Sequence, residues 1–109
     1  MSSDSHLAAA PSLSDAGSLL IATSARLYTA HGDAPQAIAA WKTIVDSLPQ
    51  SPEAPEADLE WARILRRSKQ TPAAIQRLEH LILTYPESAL VPQARRELEL
   101  AQQSVPSTY

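Results

Sequence analysis

The feature of this sequence that most constrains its fold is a pattern that returns after 37 residues. The run at residues 48–57 returns at residues 85–94 with two of its three prolines, its serine and its final alanine in the same places. Six further identities occur at the same offset, among them Arg26 with Arg63 and Ile38 with Ile75. A period between about 20 and 50 residues is typical of solenoid proteins, in which each unit buries its apolar face against the next. The pattern therefore predicts a helical repeat and favours binding over catalysis.

Composition indicates a small all-α protein of one domain. The chain has 109 residues, two glycines and no phenylalanine, and it is rich in alanine, leucine, glutamate, glutamine and arginine, which favour helices. Its net charge of −3 argues against a main task of neutralising nucleic-acid phosphate. Cysteine is absent, so no disulfide is expected. The start of the sequence has no signal-peptide pattern, which predicts a cytoplasmic protein, or a periplasmic one if this start is processed or engineered.

Helix start and stop signals divide the repeat region into five predicted helices. The first is expected over residues 15–31, because Gly32 suits the left-handed position that ends a helix. The second is expected to close at Pro49, and the fifth to end at about residue 103. Four polar residues are predicted to begin the later helices: Asp33, Ser51, Thr71 and Ser88. Asp33 is expected to form a capping box with Gln36.

Apolar residues at helical spacing predict the buried faces of these helices. Trp41 and Trp61 are both expected to be core residues rather than surfaces for base stacking. The large apolar residues of the later helices are expected to share one core: Trp41, Ile44, Leu78, Leu81 and Leu98.

The second and fourth helices resemble the second half of a tetratricopeptide repeat, with a small residue, a large apolar residue, an aliphatic residue and a closing proline. The two copies carry these as Ala37, Trp41, Ile44 and Pro49, and as Ala74, Leu78, Leu81 and Pro86. Three features depart from the family pattern. The period is 37 residues instead of about 34, Asp58 stands where a large apolar residue is expected, and Lys69 with Gln70 replaces the glycine and aspartate turn.

The linker at residues 85–94, which reads Tyr-Pro-x-Ser-x-x-x-Pro-x-Ala, is similar to that of bacterial envelope repeat proteins such as the Tol-Pal-associated protein and the outer-membrane assembly lipoprotein. The resemblance implies a bacterial, right-handed solenoid fragment of two helix pairs and a C-terminal capping helix. It implies an extended arm at residues 1–14, repeats at 18–51 and 55–88, a final helix at 89–103 and a tail at 104–109.

A concave groove formed mainly by the first helix of each pair is the binding surface that the resemblance implies. It places eight candidate partner-binding residues there: Arg26, Arg63, Arg66, Arg67, Arg96, Leu19, Leu59 and Leu100. Arginine binds carboxylates through paired hydrogen bonds, so an acidic peptide or the C-terminus of a partner protein is the expected ligand. The alternative is that the arginines at the end of the third helix simply pair with Glu60 and Asp58 as solvated charges.

Residues that would support catalysis or metal binding are not recognisable. None of His6, His31 and His80 has a second histidine or an aspartate at metal-ligand spacing. Gly17 and Gly32 stand alone, so no glycine-rich phosphate loop is expected. The sequence therefore predicts no catalytic residues, no metal and no cofactor.

The leading hypothesis is a non-catalytic adaptor or stabilising subunit of a larger assembly. It would bind protein partners through the groove and through its polar ends, which a partner would order. Two and a half repeats also leave the terminal faces uncovered, below the roughly three units that solenoids need. One alternative is a periplasmic envelope-biogenesis protein. Another is an extrinsic accessory subunit, without a transmembrane segment, of a membrane-embedded photosynthetic or respiratory complex. Nucleic acid is not an expected partner.

Overall fold

The computed structural model describes residues 13–105, with side chains from residue 16 onward. The predictions for the arm and the tail therefore fall almost entirely outside the described residues. Within this range lie five α-helices and no β-strand, which confirms the all-α class: α1 Leu13–Ala30, α2 Ala34–Ser47, α3 Ala54–Arg67, α4 Thr71–Thr84 and α5 Val91–Ser104. None of these five helices has both the length and the apolar character needed to cross a membrane.

The offset of 37 residues also separates the helices themselves. The bounds of α2 and α4 differ by 37 residues at both ends, and so do those of α3 and α5. Three residues connect α1 to α2 and α3 to α4, whereas six residues connect α2 to α3 and α4 to α5. Each helix packs chiefly against its neighbours along the chain. The described fold is thus a row of short helices in sequence order.

Two left-handed residues end α1 and α3 in the same way. Gly32 has a φ of 76° and Lys69 a φ of 65°. The amide of the next residue, Asp33 or Gln70, donates to a carbonyl five residues earlier at 2.9 or 2.8 Å. The turn therefore has the same backbone form in both places, although only the first has the glycine that favours it.

We expect opposite effects from exchanging residues at these two turns. A Cβ added at Gly32 would meet no atom within 4 Å, so the cost of Gly32→Ala, roughly 1 kcal/mol, comes from the left-handed backbone alone. Lys69→Gly should stabilise the fold by up to about 1 kcal/mol, because glycine adopts this φ without strain. Urea unfolding of both variants measures the two changes. A destabilising effect of Lys69→Gly would contradict the strain assigned to that turn.

The predicted cap of α2 is confirmed, and the predicted start of α3 is wrong. Oδ1 of Asp33 accepts a hydrogen bond from the amide of Gln36 at 3.3 Å. In contrast, α3 begins at Ala54 with Glu53 as its N-cap. Ser51 lies before this start, and its buried Oγ has no hydrogen-bond partner among the described residues.

The last two helices also begin without a side-chain cap. Thr71 is the first residue of α4 instead of its cap, a position that Gln70 takes. Ser88 lies in the turn before α5, where its Oγ accepts from the amide of Leu90 at 3.1 Å. Each of α2 to α5 has a proline in its first two positions. Because proline lacks an amide proton, it leaves one donor fewer to satisfy at the helix start.

The apolar side chains form two core clusters instead of the single predicted core. The first cluster lies among α1, α2 and α3, and the second among α3, α4 and α5. The residues expected to share one core divide between them: Trp41 and Ile44 lie in the first, and Leu78, Leu81 and Leu98 in the second. Half-buried Ile38 and Trp61 pack against both clusters. Two cores result because each helix packs chiefly on its neighbours in the sequence.

Candidate functional site

Ion pairs join the arginines of α1 and α3 to glutamates of α3 and α5. Nη2 and Nε of Arg26 donate to the two carboxylate oxygens of Glu56 at 2.6 and 2.8 Å. Glu97 of α5 accepts from Arg63 Nε at 3.3 Å and from Arg66 Nη1 at 2.6 Å. The alternate helices α1, α3 and α5 therefore share one face. We call it the ion-pair face and define it by these five residues and Glu60.

Arg63 completes the ion-pair face within its own helix. Its Nη1 donates to Glu60 at 2.9 Å, which confirms the pairing with Glu60 considered from the sequence. The side chains of this face are partly exposed, so each pair contributes at most about 1 kcal/mol to stability. Hydrogen bonding to Glu56 raises the pKa of Arg26, which is therefore held as a cation against α3.

A pocket of about 330 Å³ lies on this face where α3 meets α5, and it is lined by Arg63, Arg66, Arg67 and Glu97. A guanidinium carries five N–H donors. The ion pairs engage Nε and Nη1 of Arg63 but only Nη1 of Arg66. Arg67 is exposed and forms no ion pair with any side chain described from residue 16 to 105. The pocket therefore keeps unused donors.

The remaining predicted binding residues do not all lie on an open surface. Leu19 and Leu100 are 51% and 53% exposed, and Arg96 is also exposed. Leu59 is only 2% exposed, because it lies in the second core cluster. Its placement in a binding groove is therefore corrected to a core position. Arg96 follows Leu59 by 37 residues but faces solvent, because no described helix follows α5 to cover it.

A buried charged cluster between α3 and α4 was missed in the sequence. Asp58 is fully buried, and its Oδ1 accepts from Arg77 Nη1 at 3.2 Å. Its Oδ2 lies 2.5 Å from Nδ1 of His80. The alternative that Asp58 pairs with an arginine of its own helix is thereby corrected, because both of its partners lie on α4. Burial raises the pKa of Asp58, and hydrogen bonds and charge from its two partners lower it in part.

Aromatic rings surround this cluster. The ring of Trp61 lies under two cations, Arg77 at 4.6 Å and Lys42 at 5.7 Å from the ring centroid. Tyr85 lies edge-on to the ring of His80, and its hydroxyl donates to the carbonyl of Pro49 at 2.8 Å. Burial, and then the charge of Asp58, raise the pKa of Tyr85. These contacts tie α2, α3 and α4 together.

Among residues 16–105, no hydroxyl nucleophile hydrogen-bonds to the buried cluster. Within residues 16–105, the polar partner of His80 is Asp58, and no serine or threonine hydroxyl bonds to its ring. A nucleophile within hydrogen-bond reach of the base is the arrangement that such catalysis needs. The same range contains no group of three or more histidine, aspartate and glutamate side chains that could hold a metal ion. The contacts of the cluster join α3 to α4.

Comparison with known proteins adds no family assignment. The sequence matches no protein-family model, no curated protein and no solved structure. The resemblance to tetratricopeptide repeats consequently stays a prediction from the sequence.

Proposed function

We propose that this chain is a non-catalytic protein-interaction module, an adaptor or stabilising subunit that binds an acidic segment of a partner protein. The observation that carries the proposal is the pocket on the ion-pair face. Three guanidinium groups line it against one carboxylate, that of Glu97. Arginine is suited to such a site because its planar fork binds carboxylates through two parallel hydrogen bonds.

The helix arrangement supports a tetratricopeptide-like repeat as the scaffold of this module. The helix bounds and the left-handed turns both recur after 37 residues. Four buried residues of α3 have exposed polar or charged counterparts in α5. Asp58, Leu59, Ala62 and Leu65 become Arg95, Arg96, Glu99 and Gln102. A polar outer face is typical of a terminal helix that caps a repeat array, so α5 fits the predicted capping role.

The ion pairs limit which arginines take part in binding. Glu56 already neutralises Arg26, so the proposed site is narrower than the five-arginine groove predicted from the sequence. Glu97 holds Arg63 and Arg66 in place, so less side-chain entropy is lost when a ligand binds. An incoming carboxylate is received by Arg67 and by the open donors of Arg66. The nearby glutamates reduce the net positive charge, so we expect modest affinity for a single acidic segment.

A matched pair of arginine variants tests this site. Arg67 and Arg95 are both exposed, and replacing either with alanine changes the charge equally, but only Arg67 lines the pocket. Arg67→Ala should weaken binding of a glutamate-rich peptide by about three- to tenfold, or up to about 1.4 kcal/mol. Arg95→Ala should leave the affinity within about twofold. Calorimetric titration at low ionic strength measures both.

Salt provides the control for non-specific attraction. Binding at the pocket should weaken as ionic strength rises, because the groups are partly exposed and therefore screened. The difference between Arg67→Ala and Arg95→Ala should persist at every salt concentration that allows binding to be measured. Equal losses in the two variants would show that only the overall charge attracts the peptide, and the proposed site would be wrong.

A further inference from the structure

A second pocket adjoins the pocket on the ion-pair face at the side chain of Arg67. It has a volume of about 400 Å³ and lies where the ends of α1 and α3 meet the start of α2. We call it the turn pocket, and its lining residues are Thr29, Gly32, Ala34, Ile64, Arg67 and Ser68. Arg67 lines both pockets. A group bound to its guanidinium therefore lies at the border between them.

The two hydroxyl groups of the turn pocket are already engaged inside the protein. Thr29 Oγ1 donates to the carbonyl of Ala25 at 2.8 Å and accepts from Trp41 Nε1 at 3.1 Å. Ser68 Oγ donates to the carbonyl of Ile64 at 3.0 Å. A hydroxyl has one proton to donate, so neither group has a donor left for a ligand.

The rest of the lining combines an apolar surface with one charge. The side chains of Ala34 and Ile64 contain only carbon and hydrogen, and Arg67 is the one charged residue among the six that line the turn pocket. The guanidinium can bind a carboxylate, but a further polar group placed in this pocket would lose water without gaining a donor from a lining hydroxyl. The turn pocket therefore favours an apolar side chain next to a carboxylate.

A third pocket has a different chemistry. It has a volume of about 520 Å³ and shares Arg66 with the pocket on the ion-pair face. Lys69 lines it as well, so it presents two cations where the turn pocket presents one. A further carboxylate is favoured there. Of the two neighbouring pockets, the turn pocket is the one suited to an apolar group.

Building on the proposed function, we propose that the acidic segment carries a large apolar side chain directly beside the carboxylate that Arg67 binds, and that this side chain enters the turn pocket. The arginines attract an acidic segment, and the turn pocket then selects among such segments. Because Arg67 borders both pockets, a residue next to the bound carboxylate lies within reach of the turn pocket. Its volume is in the range of pockets that hold small ligands, so a leucine side chain fits.

Two peptides test this preference on the full chain. Both carry glutamates on either side of a central residue, which is leucine in one and serine in the other. Acetylated and amidated ends remove the terminal charges. The leucine peptide should bind about three- to tenfold more tightly, because its apolar side chain leaves water. Calorimetric titration measures both affinities.

The peptide comparison separates this inference from the proposed function. Equal affinities of the two peptides, both lowered by Arg67→Ala, would overturn the apolar preference while leaving the acidic-segment site in place. Failure of both peptides to bind would overturn the acidic-segment site together with the preference.

A matched pair of alanine substitutions on α2 locates the effect. Ala34→Leu places a larger side chain in the turn pocket and should bring the affinity of the leucine peptide to within about twofold of that of the serine peptide. Ala39, on the same helix, is exposed and lines none of the three pockets, so Ala39→Leu should keep the full preference. Far-UV circular dichroism checks that both variants fold. An undiminished preference in folded Ala34→Leu would overturn the proposal.

Nuclear Overhauser contacts in the unmodified protein give a direct readout that does not depend on any variant. Methyl groups of the peptide leucine should show contacts to the methyl groups of Ala34 and Ile64, which line the turn pocket. No contact is expected to Leu83, which is 80% exposed on α4. A bound leucine peptide without contacts to Ala34 and Ile64, or with equal contacts to Leu83, would overturn the proposal.

Discussion

The double variant Arg77→Met/His80→Leu is expected to lose about 3–5 kcal/mol of unfolding free energy at neutral pH, as when a buried ion pair loses one side. Asp58 is fully buried, and within the described residues these are the two side chains that bind its carboxylate. Without them the negative charge is left uncompensated in an apolar environment, which costs far more than the partly exposed pairs elsewhere in the protein. Denaturant unfolding measures the loss.

The loss should shrink as the pH falls. Burial raises the pKa of Asp58 above its ordinary value of 3.8, so the folded state binds the proton more tightly than the unfolded chain does. The contribution of Asp58 to the unfolding free energy therefore falls as the pH rises from 3.8 toward the raised pKa of the folded state. Arg77 and His80 lower the pKa of Asp58. Removing them therefore widens the pH range over which this group changes the stability. The double variant should consequently recover stability at acidic pH.

A triple variant isolates the contribution of the buried charge. Asp58→Leu combined with Arg77→Met/His80→Leu keeps every other change of the double variant, including the lost contact of Arg77 with Trp61. An apolar replacement of a buried charged group is often neutral or stabilising, so the triple variant should regain most of the lost stability and the pH dependence should flatten. If the double and triple variants were equally unstable at neutral pH, the buried charge of Asp58 would not be the cause.

Leu78→Ala should lower the unfolding free energy by about 2–5 kcal/mol, the range for truncating a fully buried leucine. Leu78 is 0% exposed in the second core cluster. Leu83, on the same helix, is 80% exposed, so Leu83→Ala should change stability by less than about 0.5 kcal/mol. Equilibrium unfolding in urea compares the two variants.

Comparison of these two leucine variants tests how α4 packs, because both substitutions change the helix propensity by the same amount. Both variants replace leucine with alanine in one helix, so the difference between them reports burial. Similar losses for Leu78→Ala and Leu83→Ala would mean that α4 is rotated from the orientation described. A loss below half a kilocalorie for Leu78→Ala would place that residue on the surface.

The local structure of this protein could be predicted because its signals are close in sequence. Proline, glycine and aspartate mark helix ends within a few residues, and the cap at Asp33 and the turn at Gly32 follow from them. The predicted starts of α3, α4 and α5 differ from the observed ones, since a polar residue near a proline does not show which residue caps the helix. The left-handed turn at Lys69 follows only from the offset to Gly32, because lysine itself gives no signal for it.

Contacts between distant residues could not be read from the sequence. Asp58 meets Arg77 and His80 across 19 and 22 residues, and Glu97 meets Arg63 and Arg66 across 34 and 31 residues. Which charges meet depends on helix rotation and packing, and periodicity alone does not fix these. The only signal was Asp58 itself, a carboxylate at a position expected to be apolar. The separation into two cores likewise depends on which helices pack together.

The most direct test of the proposed function follows the arginine side chains by NMR during titration with a glutamate-rich peptide. Signals from the Nε–H groups of Arg66 and Arg67 should shift in a saturable manner, because their guanidinium groups line the pocket and retain donors for a carboxylate. The Nε–H signal of Arg95, which is exposed outside the pocket, should stay in place. Saturable shifts confined to these pocket arginines are the predicted result. Absence of any shift, or equal shifts at Arg67 and Arg95, would contradict an acidic-segment site at this pocket.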